Sequence, residues 1–183
     1  MDIKIIRSNR KTICIESMLD GFIVPAPKRA TDTEIEEFLN QHKRWIEKQN
    51  QRIEKHKEAI SKIKPLTDDE ILELKSKAEK LVLERAAYYA EIIGVEYERV
   101  TVRMQKKRWG SCSYNGNLSF NGLLALAPKD VLDSVVVHEL CHIKVKNHSK
   151  KFYDEVLKVF PEYRECHKWL KDNGDTLLYL IRK

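Results

Sequence analysis

The 183-residue sequence predicts an α+β fold: a small mixed or antiparallel sheet packed on one apolar helix, an N-terminal β-hairpin region, and a long antiparallel helical pair. Three observations carry that reading. The hydrophobic period is two near the start, becomes three and four between residues 35 and 92, and returns to two after Gly94. Two long helical runs each open on a capping-box pattern. A third, more apolar run follows the second strand region. The length fits a single domain that buries its own core, divided into N-terminal strands over 1–30, a helical hairpin over 31–94 and a core over 95–183.

Taken in order, "IKIIRSNRKTICI" alternates around a polar tip and reads as a β-hairpin, with "GFIVPAP" a further strand ended by prolines. The segment "TEIE", Thr33 to Glu36, has capping-box form. Ile35, Leu39, His42, Ile46, Gln49, Ile53, His56, Ile60 and Ile63 then recur at steps of four and three, the seam of one long helix. "KPLTDDE" breaks it and supplies a second capping box, Thr67 to Glu70. Ile71, Leu74, Ala78, Leu81, Tyr88 and Ile92 continue a helix that Gly94 stops. A short break between two long helices predicts an antiparallel pair. His42 and His56 lie on its seam as packed polar residues, and the pair reads as a scaffold. Beyond Gly94, "RVTVRMQ" is a strand, "SCSYNGNLSFNG" a hairpin around Asn115-Gly116, and "GLLALAP" an apolar stretch. Pro128 suits the first turn of the helix through "KDVLDSVVVHELCHIKV", apolar around most of its circumference and so expected at the centre.

Composition narrows the function classes. No apolar run approaches the length of a membrane span, and "MDIKIIRSNRKTICIE" has no signal-like core, which predicts a soluble, cytoplasmic protein with no membrane partner. Cys14, Cys112, Cys141 and Cys166 show no CxxC spacing and read as reduced thiols. The net charge is +6, and two acid-free segments hold more than all of it: Arg99, Arg103, Lys106, Lys107 and Arg108, then Lys144, Lys146, Lys150 and Lys151. The second overlaps a histidine cluster, so a groove beside that cluster could be electropositive.

The cluster is "VVVHELCHIKVKNHSKKF", residues 135–152. A histidine or glutamate buried in a helix needs a partner, because an unpaired buried polar group costs several kcal/mol. His138 and His142 are four apart and project from one helix face in adjacent turns, where both imidazoles can hold one metal ion; Glu139 between them can reach a water on that ion. A catalytic zinc site takes three protein ligands and leaves a fourth position open. His148 is the nearest candidate for the third, with Glu155 and His167 as competitors. The spacing to His148 equals that of metzincins, but Val145 stands where their glycine turns the chain, and no methionine follows to form a Met-turn. Asn147 is expected to end the helix in a left-handed conformation, and Ser149 to cap the next one. Asp154 or Asp133 could hold the ligating imidazoles, and Cys141 faces the core.

"RWGSCS", "GNLSFNGLLALAP", "VVVHELCHIKVKNHSKKFYDEV" and "FPEYRECHKWLKDNG" together resemble the YgjP-like (DUF45) metallopeptidase family, whose pattern runs RWGSC, HELxH, NHSxxFW and a closing pYxxxxxWL. The likeness spans about Arg99 to Gly174, and the amino-terminal hairpins and helix pair are also similar. It implies a zincin-type helix, one Zn2+ per chain held by His138, His142 and His148, and a catalytic Glu139. Tyr153 departs from the family's tryptophan, a change expected to affect packing. Arg108, Trp109, Ser111 and Cys112 match the family's RWGSC segment and become possible substrate-binding residues, the wall on which an extended peptide adds as a strand.

The expected activity is therefore hydrolysis of peptide bonds in a peptide or unfolded protein substrate, with Glu139 as general base. A nucleotide pyrophosphatase is the alternative, since an HExxH site does not specify its electrophile and Lys106, Arg108 and Lys144 could stabilise phosphate. A nucleic-acid- or partner-binding module with a structural metal is the second alternative. A closed structural site would leave Glu139 without a reason to lie in the motif.

Overall fold

A computed structural model of the chain describes residues 3–18, 21–60 and 63–181, with the side chains of a few helical residues, His56 and Ile60 of the expected seam among them, outside that description. The fold is α+β, with two three-stranded mixed sheets and six α-helices among the described residues. Contacts divide it into two compact units, Met1–Ile63 and Lys64–Lys183.

The first unit holds β1 (Ile3–Ser8), β2 (Glu16–Met18), β3 (Gly21–Pro27), α1 (Asp32–Gln41) and α2 (Lys43–Ile60). The hairpin expected within residues 3–15 is replaced by another pairing: β1 runs parallel to β3, and β2 is the strand antiparallel to it. Alternation shows which face of a strand is buried but not its partner, and the apolar β3 takes the centre of the sheet. Val24, Ala26, Ala30 and Ile35 form one core cluster. Phe22, Ile46 and Ile53 form a second. The capping box is Thr31 with Glu34, two residues earlier than expected: Glu34 N donates to Thr31 Oγ1 at 3.2 Å, and Thr31 N to Glu34 Oε2 at 2.7 Å. The single long helix is interrupted at His42, whose Nδ1 lies 2.7 Å from Phe38 O. Ile46 and Ile53 of α2 pack with Phe22 of the first sheet, so this part of the expected seam serves the unit's own core.

The second unit opens with α3 (Asp68–Ile93), whose ends match the sequence reading. Thr67 and Glu70 form the capping box, and Gly94 closes the helix at φ +71°, a left-handed conformation suited to glycine. Its buried face drifts from the expected one: Leu74, Ala78, Val82, Ala86, Tyr89, Ala90 and Ile93 are inside, while Tyr88 and Ile92 are about half exposed. Small alanines on that face permit close approach of the next helices.

Strands β4 (Arg99–Arg103), β5 (Gly110–Cys112) and β6 (Asn117–Asn121) form the second sheet in the order β4-β6-β5. β4 is parallel to β6, and β5 forms the expected hairpin with it. Gly116 turns that hairpin at φ +76°, with its N–H donated to Ser113 O at 3.1 Å. The apolar "GLLALAP" becomes a 3₁₀ turn, Gly122–Leu126. Pro128 sits just outside α4 (Lys129–Lys144) as its cap, one position earlier than the first-turn placement. α5 (Lys150–Val159) and α6 (Tyr163–Tyr179) complete the unit. α4 is central as expected, contacting α3, α5, α6 and β5, with Val135, Val136, Val137, Leu140 and Cys141 buried. Asp133, also buried, is bound by Arg85 at 2.7 and 2.9 Å and by Tyr89 Oη at 3.2 Å. No described helix is long and apolar enough to cross a membrane.

Candidate metal centre

The four-residue spacing on α4 brings His138 Nε2 within 3.2 Å of His142 Nε2. The chain then doubles back. Val145 adopts an extended conformation (φ −130°, ψ 105°) that ends the helix, and its carbonyl lies 3.1 Å from His142 Nδ1. Asn147 is not left-handed, since no described residue other than glycine has positive φ. Its side-chain oxygen instead accepts from Ser149 N at 3.3 Å, where α5 begins. This return places His148 Nε2 3.1 Å from both His142 Nε2 and His138 Nε2. The three imidazoles are a group able to hold a metal ion; Glu155 and His167 lie outside it.

Each ring is held from behind. Tyr163 Oη of α6 is 2.8 Å from His138 Nδ1. Phe152, fully buried on α5, stacks on the His142 ring at 4.3 Å and meets His138 and His148 edge-on at 4.8 and 5.1 Å. Asp133 supports no imidazole, being committed to Arg85 and Tyr89. Asp154 is exposed and has no bond to them. The anchors are a tyrosine and a backbone carbonyl, groups that no spacing rule points to.

The geometry fits a cation. Val145 O can only accept, so His142 Nδ1 carries the proton and its Nε2 presents a lone pair toward two other ring nitrogens. Burial, and then the neighbouring His142, His148 and His167, hold His138 down to about 3, so its ring is neutral. Burial likewise lowers His142. Tetrahedral coordination at the usual Zn–N length of about 2.0–2.1 Å separates ligand nitrogens by about 3.3 Å, close to the spacings found here.

Glu139 is 6 % exposed, and burial pushes its carboxyl up to about 8. It lines a cavity of about 630 Å³ together with Arg108, Trp109, Gly110, His138, His148, Tyr153, Tyr163 and His167 among others. Strand β5 passes so close that a Cβ built on Gly110 would lie 2.5 Å from Glu139 Oε1. Of the possible substrate-binding residues, Arg108 and Trp109 line the cavity; Ser111 and Cys112, which follow on β5, are not among its lining residues. Tyr153 forms part of the cavity wall, its ring 6.2 Å from that of His148 and 5.3 Å from that of Phe152. The expected electropositive groove is only partly present. Lys107 and Arg108 reach the cavity, whereas Lys144 donates to Ile93 O and Lys146 donates to Tyr114 O at 3.1 Å.

Asn121, fully buried, sets the loop above the cavity: its Nδ2 donates to Gln105 O and Arg108 O at 2.8 and 2.9 Å, and its N–H to Trp109 O at 2.8 Å. Trp109 in turn meets α6 at Gly174, where a Cβ would approach its ring to 2.9 Å.

Two solved structures resemble the chain over 51 % of its length at a TM-score of 0.46. They are the metallopeptidase zymogens jannalysin of Methanocaldococcus jannaschii, 21 % identical with 96 % of its chain covered, and abylysin of Pyrococcus abyssi, 24 % identical with 95 % covered. No curated protein matches the sequence. The family described as YgjP-like, metallopeptidase domain, matches residues 68–173, more than half of the chain and every residue of the histidine cluster and its supports, and the chain belongs to that family.

Proposed function

We propose that the protein is a zinc peptidase in which His138, His142 and His148 hold one Zn2+ and Glu139 is the general base. The observation that carries this reading is the convergence of three Nε2 atoms at 3.1–3.2 Å beside a buried glutamate on one cavity. Zinc, when bound there, supplies a Lewis acid and a water acidic enough to attack at neutral pH. The chain's own residues do the rest. Glu139 takes the proton of the attacking water and returns it to the departing amine. Beside the ion its raised carboxyl is drawn back toward ionisation, because a nearby cation favours the charged form. β5 lies at the edge of its sheet, and an extended peptide laid along it would bring a carbonyl toward Glu139 while Tyr153 and His167 flank the side chains.

The placement of the basic residues favours peptide over nucleotide. A triphosphate calls for several converging cations, and seven of the nine in the two basic segments do not line the cavity.

The test uses zinc-loaded protein and an unfolded polypeptide substrate. Wild type should bind one zinc and cleave; Glu139→Gln should keep the metal and lose about 10²–10⁴ in turnover. His148→Ala should lose metal in elemental analysis. Full retention there, with loss in Glu155→Ala or His167→Ala instead, would move the third ligand. Pyrophosphate release from a nucleoside triphosphate, abolished in Glu139→Gln and without any peptide cleavage, would overturn the choice of electrophile.

A further inference from the structure

We propose that Lys107 and Arg108 select a carboxylate on the C-terminal side of the scissile bond, either the end of the substrate chain or an acidic side chain there. This rests on the peptidase reading above and starts from the parity of β5. Asn121 N donates to Trp109 O at 2.8 Å and Ser113 N to Asn117 O at 2.9 Å. Those bonds turn residues 109 and 113, and with them 111, toward β6, so the N–H and C=O groups of Gly110 and Cys112 face the free edge of the sheet. A peptide adding there pairs best antiparallel, since parallel pairing is less stable per residue. Its chain then runs against β5. Gly110 is the strand residue that meets Glu139, so the residues beyond the scissile bond lie along Trp109, Arg108 and Lys107.

That end of the cavity suits an anion. Lys107 and Arg108 both line it, are exposed, and make no ion pair among the described residues. The one carboxylate among the lining residues is Glu139, which the reaction uses. A guanidinium engages a carboxylate through two parallel bonds, and a lysine beside it adds a second charge. The segment that carries both cations is held before any substrate arrives: the buried Asn121 side chain donates to Gln105 O and Arg108 O, and its N–H to Trp109 O. Trp109 also packs against the core cluster of Leu74, Leu123 and Ile181 and meets α6 at Gly174, so the cavity is walled beside the two cations.

The test pairs otherwise identical peptides: a free C-terminal acid against its amide and, in longer amidated peptides, Glu against Gln, with the cuts located by mass spectrometry. Zinc-loaded wild type should cleave the carboxylate member of at least one pair about 10–100-fold better in kcat/KM, chiefly through KM, with the carboxylate C-terminal to the cut. Preference for the free acid identifies the chain end; preference for Glu identifies the side chain. In the double variant Lys107→Gln, Arg108→Gln the ratio should fall to within about threefold of one, and in wild type it should shrink as ionic strength rises. Arg108→Glu should reverse the choice, favouring Lys over Glu at the same place. The zinc-loaded Glu139→Gln protein, which binds with little turnover, should show the same preference in calorimetric affinity for the uncut peptides. A wild-type ratio within about threefold of one for both pairs, or a ratio that survives in the double variant, would overturn the proposal. Wild-type zinc protein that cleaves no peptide, while Glu139→Gln still binds the carboxylate members more tightly, would sink the peptidase reading and leave the carboxylate site standing.

Discussion

At Gly110 one methyl group separates a working site from a displaced one. A Cβ there would stand 2.5, 2.7 and 2.8 Å from Glu139 Oε1, Cγ and Cδ, and Glu139 has little room to retreat. Gly110→Ala is expected to bind zinc like wild type while losing at least about 10² in kcat, at a stability cost of about 1–3 kcal/mol for overpacking. Paired elemental analysis and peptide assays check it; a zinc-depleted variant would show that the strand positions the histidines instead. Phe152 works on the other side of the motif. Phe152→Ala should cost about 3–5 kcal/mol in denaturant unfolding and weaken zinc binding, since three imidazoles lose one shared floor. The sequence displays His138, Glu139, His142 and His148 because their chemistry demands particular residue types at particular intervals. Gly110, Tyr163 and Val145 O act through proximity in space. Position 110 reads as an ordinary strand glycine until β5 is seen against α4, and a backbone carbonyl has no residue type to read.

Among the elements, α3 and α4 are joined by a feature more consequential than its exposure suggests. The Arg85 and Asp133 side chains are 14 % and 4 % exposed, joined by two bonds of 2.7 and 2.9 Å. Removing one partner strands a buried charge, so Asp133→Ala is expected to cost about 3–5 kcal/mol, whereas the double variant Arg85→Met, Asp133→Leu should cost far less than the sum of its single changes. Denaturant midpoints for the cycle decide it: additive losses would mean the pair contributes no coupling. This pair also explains why α3 was legible at its ends but not along its face. Thr67, Glu70 and Gly94 are local signals, satisfied within a few residues. The face depends on what α4 presents, and Asp133 draws Arg85 inward while Tyr88 and Ile92 face out. The same distinction separates the β5–β6 hairpin, marked by its Asn-Gly turn, from the parallel β1–β3 pairing, which has no local mark.

For the whole molecule, core clusters that each fall within one unit make a prediction about autonomy. The family match lies entirely within residues 64–183, as do the histidines and every group holding them. A fragment starting at Lys64 should unfold cooperatively and be stabilised by zinc by about 2.7 kcal/mol when the ion is at a hundredfold its Kd. Calorimetry with and without zinc tests this, and a fragment lacking a cooperative transition would make the first unit part of the fold's foundation. The fold class and the metal-binding motif were legible because periodicity and ligand spacing are short-range properties. The division into two units was not, because "KPLTDDE" reads equally as a tight turn or as a junction. The anchoring of His138 by Tyr163 carries a last consequence, for time rather than space. During synthesis the HELCH segment emerges before α5 and α6, so a growing chain carries the motif while its first histidine still lacks the hydroxyl that orients it. The anchor of that ring is complete only once α6 has docked on α4.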